Sequence, residues 1–283
     1  MPTSEIIITN IGRLELTKQA ISNAGLDKFH VVADFDRTIT KNFVNGARTS
    51  SIISVLCTEK MLTPDYPAKA RELFDKYYAI ETDINYPDDK KLIAMHEWWT
   101  KHFQLLIDSK LNKKDLERVA STDKIQLRAG ICDMIKWLHE KTVPLLIFSA
   151  SGLGVDIITL YLKKCRHLYD NIHIVSNIIK WDDNGYAVGV REPIIHNMNK
   201  GEHALKNYPI FKLIKNRKNI LLLGDDANDV DMVEGIECEN IIKVGFLNTD
   251  VEKNLETFKK HFDVIITNDG EMNFVNQLLE EMF

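Results

Sequence analysis

Six short apolar runs with almost no polar interruption, at residues 30–35, 143–149, 171–176, 219–224, 241–246 and 263–267, limit what this chain can fold into. A strand that is apolar at nearly every position has to be covered on both faces, as in a parallel sheet held between two helical layers. Helical patterns at 131–140, 155–168, 201–207, 251–261 and 271–282 separate or follow most of the runs. The expected fold is therefore α/β, with a doubly wound, Rossmann-like parallel sheet. One pair departs from the alternation. Residues 177–180 and 186–190 flank Trp181-Asp182-Asp183-Asn184-Gly185, a turn sequence that predicts a β-hairpin.

The spacing of the runs is uneven in one place. About 107 residues separate the first run from the second, whereas a strand–helix–strand unit needs about 30. The intervening stretch is helical at 71–78, 88–109 and 113–120. The expected organisation is an α/β core made of 1–41 and 127–283, with an inserted helical cap at 42–126. Ligands of open α/β sheets bind beyond the carboxyl ends of the strands, so an insertion leaving from that end covers the site.

Those strand ends carry the candidate chemistry. The first run leads into Asp34-Phe35-Asp36-Arg37-Thr38; if the chain stays extended, Asp34 and Asp36 point into one crevice. Neighbouring buried carboxylates need a compensating cation, and Mg²⁺ is a hard ion that takes one or two carboxylates plus a substrate phosphate. The second run ends at Ser149, followed by Ala150-Ser151-Gly152, where a hydroxyl and free backbone N–H groups can hold phosphate oxygens. The fourth opens into Asp225-Asp226-Ala227-Asn228-Asp229, read either as further metal carboxylates or as acids favoured at a helix start. Lys200, just before a helical pattern, has the charge to meet a phosphoryl group or to remain a solvated side chain. The joint order of the four strengthens each reading.

Composition narrows the partners. Thirty-six Lys and Arg against 41 Asp and Glu give a net charge of −5, which disfavours a nucleic-acid polymer. No apolar stretch approaches the roughly 20 residues of a membrane helix, and residues 1–9 lack the features of a secretory signal. The four cysteines have no metal-like or paired spacing, so reduced thiols and a cytoplasmic location are expected, with a monomer as the simplest state.

With its Asp-x-Asp, Ser, Lys and Gly-Asp segments in this order, the chain resembles the haloacid-dehalogenase-like phosphohydrolases. The segments 32–39, 76–81, 97–101, 147–150, 199–200 and 222–225 narrow the likeness to the cytosolic pyrimidine 5′-nucleotidase (type III) family. That resemblance implies a Mg²⁺-dependent 5′-nucleotidase acting on nucleoside 5′-monophosphates through an aspartyl-phosphate. It makes Asp34 the nucleophile and Asp36 the acid and base. Asp34, the Asp36 carbonyl and Asp225 would hold the metal, supported by Asp229; Ser149, Ala150 and Lys200 would hold the phosphate. In the cap, Glu81 matches a nucleoside contact. Trp99 lies on an amphipathic stretch with Met95, Phe103 and Leu106 and reads equally as cap core, while the resemblance puts it at a base-stacking position. Trp there is the feature of the branch acting on 7-methylguanosine phosphate, where the pyrimidine branch tends to have Tyr. His102 stands where the family usually has a substrate-binding Ser, and residues 48–53 lack the aromatic or His that completes the base pocket. Two alternatives remain: a phosphatase for another small phosphoester, such as a phosphosugar or phosphoserine, and a nucleotide-binding homologue without activity.

Overall fold

The computed structural model describes residues 3–49, 51–83, 85–201, 205 and 208–283. In chain order its strands are β1 (Ile6–Ile8), β2 (Phe29–Ala33), β3 (Phe43–Val44), β4 (Ala47–Arg48), β5 (Leu145–Phe148), β6 (Ile172–Val175), β7 (Ile179–Trp181), β8 (Ala187–Val190), β9 (Asn219–Gly224), β10 (Asn240–Leu247) and β11 (Val264–Thr267). Seven of them form one sheet in the order β1-β11-β10-β9-β2-β5-β6, and β3–β4 and β7–β8 are separate hairpins. Every neighbouring pair of the large sheet is parallel except β1 against β11.

The period of two in each strand builds the two layers of the core. Val31, Ala33, Leu145, Ile147, Leu221 and Leu223 join the apolar layer that also takes Leu14 and Ile21 of α1 (Ile11–Ala24). Val32, Leu146, Phe148, Ile220 and Leu222 join the opposite layer, with Ile210, Ile214, Phe258 and Phe262. Each such Val, Leu, Ile or Phe side chain, once wholly buried, contributes about 1.5–3 kcal/mol. Because β2, β5 and β9 are buried at every residue, helices have to cover both faces, as the apolar runs require.

Between β2 and β5 lie the β3–β4 hairpin and the helices α2 (Ser54–Thr58), α3 (Tyr66–Thr82), α4 (Asp88–Asp108) and α5 (Lys113–Ala120), followed by α6 (Ile131–Glu140). The chain leaves and returns through a narrow neck: Lys41 N–H donates to the Gln126 carbonyl (2.9 Å), and Arg128 N–H to the Ile39 carbonyl (2.9 Å). α3 and α4 pack through Tyr77, Ala94, Met95 and Trp98, and α4 sends Phe103, Leu105 and Leu106 into the layer shared with the sheet.

Several details differ from the sequence-based expectation. The N-terminal residues add β1 as an antiparallel edge strand, followed by α1; the sheet is thus mixed at that edge, a place a three-residue strand can occupy with one side unpaired. The helix expected at 155–168 is α7 (Gly154–Lys164), which ends before Arg166 takes a left-handed conformation (φ 61°). Trp181 closes β7 instead of opening the turn, its indole N–H donating to Asp156 Oδ2 (2.8 Å). The last helix is Asn273–Met282. The helix expected at 201–207 falls, apart from residues 201 and 205, outside the described residues.

Candidate active site

Sheet register brings the strand ends together. Ala33 lies opposite both Ile147 and Leu223, so the residues that follow leave the sheet at one level. Asp34 N–H still donates to the Leu223 carbonyl and Ser149 N–H to the Val175 carbonyl, each at 3.0 Å. Asp34, Ser149 and Asp225 therefore stand on three adjacent strands at the carboxyl edge, where such sheets bind ligands.

Lys200 is the centre of the charge pattern. Its ammonium is buried and donates to Asp34 Oδ1 (2.6 Å) and Asp229 Oδ1 (3.1 Å). Burial works against that charge, but Asp229 and Asp34 outweigh it and hold the amine protonated. Asp226 and Asp229 form a reciprocal cap on the short helix Ala227–Val233. Asp226 Oδ1 accepts the Asn228 N–H (2.9 Å), and Asp229 Oδ2 accepts those of Asp225 and Asp226 (3.0 Å each). Of the two readings of this acidic run the structure shows the helix cap, and that cap fixes Asp229 with its other oxygen on Lys200.

Oxygens of Asp34, Asp225 and Asp229 lie within 4.8 Å of one another. Burial pushes the Asp34 carboxyl well up, only partly opposed by Lys200, and carries Asp225 to about 7 against the pull of Arg37. The set is oxygen-only and holds more negative charge than the neighbouring cations offset. Those are the properties of a site that fits a hard divalent ion such as Mg²⁺.

The chain stays extended through Asp36 (ψ 124°) and then turns at Arg37 (φ 64°). Asp36 consequently stands apart from the three grouped carboxylates, and its Oδ1 accepts the Ile52 N–H from the insertion at 3.1 Å. Burial raises its carboxyl as well. Arg37 Nε lies 3.3 Å from Asp225 Oδ2. Sequence reasoning did not assign Arg37 a role, although it lies inside the Asp-x-Asp segment.

Ser149 is buried and Ala150 half-buried at the start of the loop into α7. Residues of the insertion close on this loop. A Cβ on Gly152 would stand 2.7 Å from Ile53 Cδ1 and 2.9 Å from His102 Nε2, so glycine is what admits both side chains. His102 is held neutral, its imidazole lowered to about 4 by burial. Trp99 is half-buried against the main apolar cluster, 5.6 Å from His102 and 5.9 Å from Phe103 between ring centroids. Glu81, at the end of α3, accepts a hydrogen bond from Asn197 Nδ2 in the loop that leads to Lys200. Burial, with Asp226 nearby, raises its carboxyl to about 7. Asn197 was not expected from the sequence, where it sits in an ordinary polar loop. Among the described residues no helix is long and apolar enough to cross a membrane.

Comparison with known proteins gives concordant results. The family described as Pyrimidine 5′-nucleotidase (UMPH-1) matches residues 37–283. A mouse protein named 7-methylguanosine phosphate-specific 5′-nucleotidase is 32% identical over 278 residues, covering 98% of this chain and 92% of its own length. The Drosophila melanogaster protein of that name is 31% identical over 258 residues, covering 90% and 80%. Among solved structures, cytosolic 5′-nucleotidase IIIB bound to cytidine superposes with a TM-score of 0.89 at 28% identity, covering 98% of this chain and 93% of that one. A phosphoserine phosphatase, at 18% identity and a TM-score of 0.52 over 88% of this chain and 97% of its own, shares the fold.

Proposed function

This chain belongs to the pyrimidine 5′-nucleotidase (UMPH-1) family of phosphoric monoester hydrolases, and on that premise we propose that it hydrolyses nucleoside 5′-monophosphates through a phosphorylated Asp34. The observation that carries the proposal is the buried Lys200 ammonium bridging Asp34 and Asp229 at the carboxyl edge of the sheet, with Asp225 alongside. Lys200 presents Asp34 Oδ1 in one orientation and leaves positive charge where phosphoryl oxygens gather. A carboxylate oxygen of Asp34 attacks phosphorus as the bond to the nucleoside O5′ breaks. Asp36, whose carboxyl is raised by burial, gives its proton to that oxygen and so becomes the base that takes a proton from water. Water then attacks phosphorus, the bond to Asp34 breaks, and phosphate leaves with Asp34 and Asp36 restored. Splitting the reaction this way replaces one difficult displacement with two easier ones. Ser149 and the backbone at Ala150 complete the phosphate cradle with Lys200. Asp34, Asp225, Asp229 and the Asp36 carbonyl are the groups that would hold Mg²⁺, which would supply positive charge against the negative charge spreading over the phosphoryl oxygens.

For the nucleoside we read residues 42–126 as a cap on the core 1–41 and 127–283, with Glu81, Trp99 and His102 facing the substrate. An indole favours a purine face, and a cationic methylated guanine most, through stacking and cation–π attraction of about 0.5–2 kcal/mol. The names of the mouse and fly relatives support that choice. Ile53, aliphatic where an aromatic partner would add a second face, keeps the preference modest. Phosphate release from 7-methylguanosine, guanosine, cytidine and uridine 5′-monophosphates, ribose 5-phosphate and phosphoserine, with and without Mg²⁺, tests the reading. We expect Mg²⁺-dependent turnover of nucleotides, fastest with the methylated guanine. Faster turnover of phosphoserine or ribose 5-phosphate would assign the enzyme to another phosphoester.

A further inference from the structure

The turn that carries Asp36 is held by a buried cation from the other side of the neck. Arg128 is 1% exposed, and its guanidinium lies 4.2 Å from the centre of the Phe246 ring. Nε donates to the Thr38 carbonyl (2.7 Å), Nη1 to that of Gly270 (2.6 Å) and Nη2 to that of Arg37. Asn248 accepts from Nη2 with Oδ1 (3.1 Å), and its own Nδ2 donates to the same Arg37 carbonyl (3.0 Å). Asp269 Oδ1 pairs with Arg128 Nη1 at 3.2 Å, and its carboxylate also accepts the backbone N–H groups of Asn42 (2.8 Å) and Phe43 (2.9 Å).

The turn needs this support. Arg37 is a non-glycine residue in the left-handed region, and Asp269 is another (φ 54°). Such residues persist where their surroundings over-determine them. Within the turn Thr40 N–H donates to the Phe35 carbonyl (3.0 Å), and the Thr40 hydroxyl accepts the Arg37 N–H (2.9 Å) and donates to the same carbonyl (3.3 Å), which leaves the Arg37 and Thr38 carbonyls to find donors elsewhere. Arg128 and Asn248 are those donors. The guanidinium fork fixes two successive peptide groups directly after Asp36, which a lysine ammonium, as a point charge, cannot reproduce.

We propose that Arg128, held by Asp269 and Asn248, is a positioning residue for Asp36, fixing the Arg37–Thr38 peptides so that the Asp36 carboxyl meets the leaving oxygen. This rests on the reading of Asp36 as the acid. Misplacing a reacting group by about 1 Å can cost about a hundredfold. The loss should fall on the step that needs a proton and spare a leaving group that needs none.

The test is pre-steady-state release of the first product from two substrates by Arg128→Lys, Asn248→Ala and Asp36→Asn. A nucleoside 5′-monophosphate has a leaving alkoxide that must be protonated, whereas p-nitrophenyl phosphate releases a stable anion. For Arg128→Lys we expect nucleoside release slowed by about tenfold to a hundredfold, with the p-nitrophenolate burst within about threefold of wild type. Asn248→Ala removes one of the two donors to the Arg37 carbonyl while keeping the Arg128–Asp269 pair. It should show the same selectivity at about threefold to tenfold, and it decides the matter if Arg128→Lys does not fold. Equal slowing of both bursts, or no slowing, overturns the proposal. Asp36→Asn separates the premises: selective loss there without selective loss in the other two refutes positioning alone, whereas no selectivity in Asp36→Asn refutes the acid assignment beneath it.

Discussion

Replacing Gly224 by alanine probes the acidic loop without replacing a proposed site residue. Gly224 ends β9 immediately before Asp225, and its φ is not among the positive ones, so the backbone itself admits a side chain. Space does not. A Cβ there would stand 2.5 Å from Asp229 Cβ and 2.7 Å from Asp229 Oδ2. Reaching ordinary contact requires a separation of about 0.9 Å more. Asp229 has little freedom to yield, because its oxygens are held by Lys200 (3.1 Å) and by the N–H groups of Asp225 and Asp226 (3.0 Å). A shift of that size takes those bonds beyond hydrogen-bonding distance. Overpacking costs about 1–3 kcal/mol and loss of a bond to a charged group about 1.5–3 kcal/mol, so a total of about 2.5–6 kcal/mol is expected. For a chain of this size that lowers Tm by roughly 4–10 °C. Thermal unfolding by circular dichroism in EDTA measures the loss, and calorimetric Mg²⁺ titration should show at least about tenfold weaker binding, since ligand geometry and affinity are coupled. A Gly224→Ala protein with wild-type Tm and metal affinity would refute the close packing of Gly224 on Asp229 and the role given to that carboxylate.

Asp225→Ala should shift the Mg²⁺ dependence of turnover to higher metal concentration, and an unchanged dependence would remove Asp225 from the ligand set. Trp99→Ala should raise KM for the favoured nucleotide by about threefold to thirtyfold but hardly for ribose 5-phosphate, because the control has no base to stack; equal losses would leave Trp99 only a packing role in the cap. His30, wholly buried on β2, is lowered by burial to about 4, so between that pH and its ordinary value near 6.5 the unfolded chain binds a proton that the folded one refuses. Stability from this group is therefore lost as pH falls through that window, by about 3 kcal/mol in all. In urea unfolding, His30→Leu should lose correspondingly less between pH 6.5 and 4; parallel pH dependences for variant and wild type would refute the assignment.

The central sheet was legible because burial on both faces leaves apolar runs that hold few other meanings. The grouping of Asp34, Asp225 and Lys200 was legible because Asp34 and Asp225 follow such runs and Lys200 precedes a helical pattern, in a fixed order. β1 was not, since a three-residue edge strand carries too few positions to show a period, nor was the β3–β4 hairpin with two residues a side. The supporting network was invisible for a different reason. Arg128, Asn248 and Asp269 are far apart in sequence, and each looks like an ordinary loop polar residue until the fold buries them together. Trp99 shows helical spacing with Met95 and Phe103, the pattern of a packed helix face, and in the structure it packs half-buried against the main apolar cluster.

The most direct test of the account is the fate of the phosphoryl group in a single turnover. The enzyme, mixed with Mg²⁺ and a nucleotide radiolabelled in its 5′-phosphate, is quenched in acid within one turnover, and the labelled peptide is sequenced. The account predicts transient label on the peptide carrying Asp34, decaying as free phosphate appears and absent from Asp34→Asn. Label on another residue, or phosphate formed at the wild-type rate by Asp34→Asn, would contradict it.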